Sequence, residues 1–174
     1  MSSVAENAAY TSCLQLSASV TWLRKMGDFS CPSIHSRNTS RAAADAEGKL
    51  LAGFMGTGIF EQCHFLMGFE DTLTALYEHP DEMHELIETI TQYRLDYVRR
   101  LIDGLQPDVI FSHDDWGTKN ALFMKPDMWR EFFKEPYRRF YGYIRSRGVI
   151  AIHHADSYLC LLYTSPSPRD RSVS

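Results

Sequence analysis

The chain has 174 residues, 44% hydrophobic and 23% charged, which suits one soluble globular domain with room for a real core. A formal net charge of −4 without a basic patch argues against a nucleic-acid partner, and no apolar run reaches the length of a membrane span. The N-terminus shows no basic start followed by an apolar block, so no secretory signal is read there. Cys13, Cys31, Cys63 and Cys160 have neither paired metal spacing nor a dense framework, and a reducing cytoplasm is the expected setting.

Residues 1–40 yield no clear element. Leu14, Leu16, Val20, Trp22 and Leu23 are apolar, but Ser and Thr interrupt every candidate helix, and 31–40 reads as loop. This stretch is set apart as a leader, disordered or mistranslated. From residue 41 the pattern sharpens. Residues 41–49 suit a helix ending at Gly48, and 50–54 read as a short buried strand. A glycine-bearing loop at 55–58 leads to a helix at 59–67, stopped by Gly68; a short helix follows at 71–77. Pro80, Asp81 and Glu82 open the clearest helix of the chain, since proline suits the first turn and acids favour the positive helix start. Met83, Leu86, Ile87, Ile90, Val98, Leu101 and Leu105 line one face of it, with Arg94, Arg99 and Arg100 expected in solvent. Gly104 and Gln106-Pro107 end it.

Val109-Ile110-Phe111 is the next strand, opening directly into Ser112-His113-Asp114-Asp115-Trp116-Gly117. Pro126-Asp127 begins another helix, kinked or split near Pro136, whose Met128, Trp129, Phe132, Phe133, Tyr137, Phe140, Tyr141 and Ile144 form a core-facing stripe rather than a ligand box. Val149 to Ile152 is the third strand, running into His153-His154-Ala155-Asp156. Strands separated by helices are βαβ units and predict a parallel sheet, too few strands here for a closed barrel.

Parallel strands deliver their ends to one edge, so the polar groups after Phe111 and Ile152 are expected to share a pocket. Alternation along a strand gives His113 and Asp115 one direction, and His154 and Asp156 another shared one. Imidazoles beside carboxylates can shuttle protons, bind a metal or hydrogen-bond a polar ligand. His113, Asp115, His154 and Asp156 are the catalytic candidates. Glu61, His64, Asp114, Trp116 and Lys119 are candidates for substrate binding. Each has a plainer reading: Asp114 or Asp115 capping a loop, Trp116 packing, Lys119 solvated, His64 structural, and His153-His154 as one buried and one exposed ring. No Cys-x-x-Cys pair, phosphate-binding glycine loop or serine elbow is present.

Residues 47–159 resemble the uroporphyrinogen decarboxylase family. The resemblance is carried by Gly-Thr-Gly-Ile-Phe-Glu at 56–61, Leu-Met-Gly-Phe-Glu-Asp at 66–71, His-Asp-Asp-Trp-Gly at 113–117, Met-Trp-Arg-Glu-Phe-Phe at 128–133 and Gly-Val-Ile-Ala-Ile-His-His-Ala-Asp-Ser-Tyr at 148–158. It implies an α/β fold, an incomplete (β/α)8 TIM barrel with parallel strands, over residues 41–159. It also implies one of two chemistries: decarboxylation of uroporphyrinogen without a cofactor, in porphyrin and haem biosynthesis, or methyl transfer between a corrinoid protein and an acceptor, often with zinc. The tyrosine expected of the decarboxylases is His64 here. Where the zinc methyltransferases carry His-x-Cys, this chain has His153-His154-Ala155, so His153 is the candidate metal ligand and the cysteine is an alanine. These departures tilt the reading towards methyl transfer on a tetrapyrrole- or corrinoid-linked substrate. Decarboxylation, or a non-catalytic corrinoid- or partner-binding barrel, stands as the alternative.

Residues 160–174 form a separate tail. Cys160 to Asp170 read, residue for residue, as an in-frame translation of a transposon-type sequencing-library adaptor, the other reading being a Ser/Pro-rich disordered tail. On the adaptor reading the chain is a fragment, expected to be inactive alone and to associate through its open edges.

Overall fold

The computed structural model describes residues 35–160 and 162; the stretch before residue 35 and the adaptor-like residues beyond 162 lie outside them. The elements are α1 (His35–Glu47), β1 (Ala52–Met55), α2 (Ile59–Met67), α3 (Phe69–Glu78), α4 (Pro80–Leu105), β2 (Val109–His113), α5 (Pro126–Phe132), α6 (Lys134–Ser146) and β3 (Ile150–His154). The strands pair in the order β1-β2-β3, both ladders parallel. The register sets Phe111 opposite Ile152 and His113 opposite His154, so the two polar strand ends do meet at one edge.

Period-two alternation gives the sheet two unlike faces. Met55, Ile110 and Ser112 are buried on the helix side, beneath α4 and α6, with Val98, Ile102, Phe140 and Ile144 filling the layer between. Among the described residues nothing covers the opposite face: Phe54, Phe111 and Ile152 lie in one row there, with Phe54 65% and Ile152 42% exposed. Helices on one side of a parallel sheet and an uncovered side opposite are the features of an incomplete α/β barrel wall. A second cluster sits above the sheet, where Ile59, Phe60, Cys63, Leu86, Ile90, Phe132 and Phe133 join α2, α4 and α5. Among the described residues, no helix is long and apolar enough to cross a membrane.

Several expectations need correction. The first strand is not buried throughout, because Leu50 and Phe54 project to the bare side. Arg94 is not solvated. It occupies the buried stripe of α4 at 6% exposure, its guanidinium donating to the Thr57 carbonyl and lying 5.4 Å from the Phe140 ring centroid. The expected break near Pro136 falls at Phe133, which leaves Pro136 in the first turn of α6, where no intrahelical N–H is needed. Pro80 and Pro126 each open a helix as expected. β2 and β3 run on to include His113 and His154 themselves.

An exposed apolar row beside unpaired strand edges drives association. The paired replacement Phe54→Ser with Ile152→Ser should raise the monomer fraction in sedimentation velocity. A parent chain that already sediments as one monomeric species would contradict this.

Candidate active site

The site is assembled by a carboxylate that takes no part in it. Asp114 follows β2 directly and is fully buried. Its two oxygens accept the backbone N–H groups of Phe60 and Glu61, each at 2.9 Å, in the first turn of α2. These are donors that a helix start leaves without partners, and a negative charge there is favoured by the helix dipole. The contact is close because Gly58 has no side chain: a Cβ there would overlap the Asp114 carboxylate. Burial pushes the Asp114 carboxyl up to about 7, opposed by the two N–H donors, which favour the charged form. The Tyr137 hydroxyl adds a second tie, accepting from the Ile59 N–H at 3.1 Å and from Trp116 Nε1 at 3.2 Å.

With α2 fixed in this way, Glu61 reaches the strand end. Glu61 Oε2 lies 3.1 Å from His113 Nδ1, and Asp115 Oδ2 lies 3.5 Å from His113 Nε2. The imidazole is thus held between two carboxylates that come from different elements. Asp115 is itself anchored, its Oδ1 accepting the Asp156 N–H at 2.6 Å and leaving Oδ2 for His113. Ser157 joins the loops after β2 and β3, accepting from the Gly117 N–H at 3.2 Å and donating to the Gly117 carbonyl at 3.0 Å. His154 stacks on His113 with ring centroids 5.2 Å apart, and its Nε2 lies 3.6 Å from Asp156.

The remaining candidates lie elsewhere. Asp114 has both oxygens engaged and no exposure, so it positions α2 and cannot touch a substrate. Trp116 is buried against Trp129, Tyr137 and His153, and packs. His64 sits among Phe60, Phe65 and Phe69, where burial lowers its pKa against the pull of Glu61. Lys119 is exposed in the loop after β2. His153 belongs to the row of Met55 and Ser112 and turns to the helix side. Its Nδ1 is 2.6 Å from the Tyr141 hydroxyl, and its Nε2 is buried without a partner among the described residues. A zinc site on His153 and residue 155 therefore does not fit: the histidine points away from the bare face, and Ala155 offers no ligand atom. Sequence reasoning placed Tyr137 and Tyr141 in a core-facing stripe, as found, without their hydroxyl contacts, and missed the burial of Arg94. That burial had a signal, since 87, 90, 94 and 98 continue one helical stripe.

Residues 35–163 match the family model described as uroporphyrinogen decarboxylase (URO-D). The chain belongs to the uroporphyrinogen decarboxylase family. No curated protein and no solved structure matches it. Within this family, the strand-end cluster of Glu61, His113 and Asp115 sits at the edge of the sheet where parallel α/β barrels place their chemistry.

Two outcomes are expected. Asp114→Ala strands two buried N–H groups and should lower unfolding stability in urea by about 2–4 kcal/mol; a loss below about 0.5 kcal/mol would contradict the anchoring role. Burial, reinforced by His113, pulls the His153 ring down to about 4 from 6.5. The unfolded ring takes its proton first, so stability present above pH 6.5 is lost as the pH falls towards 4. Compared with the parent, His153→Gln should be most destabilised above pH 6.5, with the gap closing towards pH 4. A gap independent of pH would rule out a neutral buried ring.

Proposed function

We propose that this member of the family works on a corrinoid-linked methyl donor rather than on uroporphyrinogen. The supporting observation is the charge of the working edge. Among the described residues, the side chains that converge there are the imidazoles of His113 and His154 and the carboxylates of Glu61 and Asp115, with the Asp156 carboxylate further out and no lysine or arginine among them. Uroporphyrinogen is a polycarboxylate, and a site lined by carboxylates repels it. A corrinoid with amide side chains meets no such repulsion. Just below the edge, the stacked rings of Phe54 and Phe111, 5.8 Å apart, and Ile152 offer an apolar shelf suited to the flat face of a macrocycle.

In methyl transfer the acceptor must lose its proton before or as the methyl group arrives. His113 is the group placed to take it, with Glu61 holding Nδ1 and so directing Nε2 outward beside Asp115. A bound corrinoid would supply the methyl group, and the part of this chain would be to hold the acceptor at the edge and take its proton on His113. His64, in the place of the tyrosine expected of the decarboxylases, sits in an aromatic cluster of its own, which fits the same reading.

Tryptophan fluorescence titrations separate the alternatives by binding alone. Methylcobalamin should saturate the chain, and the octacarboxylate uroporphyrin should bind at least tenfold more weakly. Glu61→Gln and Asp115→Asn should narrow that gap by strengthening uroporphyrin binding. Tighter binding of uroporphyrin than of methylcobalamin by the parent chain would overturn the proposal in favour of decarboxylation.

A further inference from the structure

We infer that Glu61, His113 and Asp115 bind a divalent transition-metal ion of the zinc and cobalt(II) class, at a place distinct from His153. One donor atom from each residue lies within 4.8 Å of the other two. Ligands about 2.0–2.2 Å from a shared ion stand at most about 4.4 Å apart, so small side-chain adjustments bring all three atoms onto one ion. The 3.5 Å between His113 Nε2 and Asp115 Oδ2 already spans such an ion with an ordinary angle at the metal.

The donor set has a definite preference. One imidazole nitrogen with two carboxylate oxygens suits zinc, cobalt(II), manganese or iron(II) and disfavours the soft, thiolate-seeking ions. The supports are independent of one another. Glu61 comes from α2 and is held by Asp114 through its own backbone N–H, while Asp115 is held through Oδ1. Both therefore present oxygens without having to be ordered by the ion. The ring beside the site supplies a separate observation. His154 stacks on His113, and its Nδ1 has no hydrogen-bond partner among the described residues. The bare side of the sheet leaves further coordination positions open, as a catalytic rather than a structural site requires.

The inference rests on the methyl-transfer reading for its use, in that an ion on these three residues would take over from the free His113 ring the task of loosening the acceptor's proton, but its test does not depend on that reading. The chain, stripped with chelator, is titrated with cobalt(II) and then with zinc, following cobalt d–d absorption and binding stoichiometry. The expected result is one saturable site, weakened at least tenfold by Glu61→Gln, by His113→Gln and by Asp115→Asn, and unchanged by His153→Gln. Circular dichroism of each variant shows that the fold is kept, and the near-isosteric Glu61→Gln and Asp115→Asn serve if His113→Gln fails to fold. No saturable binding, binding indifferent to the three changes, or binding lost with His153→Gln would overturn the site. Cobalt(II) bound at these residues together with a preference for uroporphyrin would leave the site standing and remove the methyl-transfer reading. Methylcobalamin preference without metal binding would do the reverse.

Discussion

Asp114 receives the first N–H groups of α2 while sitting at the end of β2, and the working edge depends on that contact. A buried carboxylate is tolerated only where donors or charges compensate for lost water. Here two backbone donors do so directly, and the buried guanidinium of Arg94 contributes through space. The gain is geometric. α2 belongs to the first strand–helix unit and His113 to the second, and this bond is the tie from the end of β2 itself that brings the Glu61 carboxylate to the His113 ring. Gly58 keeps the approach open, and Tyr137 ties the same helix start to the aromatic layer of α6.

The alternation of the strands then divides the histidines between two environments. His113 and His154 stand on the bare face with carboxylates beside them, whereas His153, one residue earlier, is turned into the helix layer against Tyr141 and Trp116. The same side chain is partly exposed beside carboxylates on one face and packed against aromatic rings on the other. Asp114 and Asp115 divide in the same way: the first is consumed by a helix start, and the second is steadied by the Asp156 N–H so that one oxygen faces outward.

Much of this was legible in the residues. Apolar runs opening into polar clusters placed β2 and β3, the prolines marked the starts of α4 and α5, and alternation paired His113 with Asp115. The family motifs supplied the barrel. What the sequence left hidden lies between units distant in the chain. No local pattern tells whether Asp114 or Asp115 is the buried one, because that depends on where α2 docks. Nor does spacing reveal that Arg94 is compensated, since its neighbours Thr57, Asp114 and Phe140 come from three other segments. The placement of His153 follows from register with Met55 and Ser112, a relation that exists only once the sheet has formed.

The most direct measurement of this arrangement is amide hydrogen exchange resolved at Phe60 and Glu61. First-turn amides of a helix have no intrahelical acceptor and exchange quickly unless a side chain holds them. Bonded to Asp114, these two should exchange as slowly as the interior of α2. Exchange at the rate of open first-turn amides would show that the helix is not held there, and the meeting of Glu61 with His113 would lose its cause.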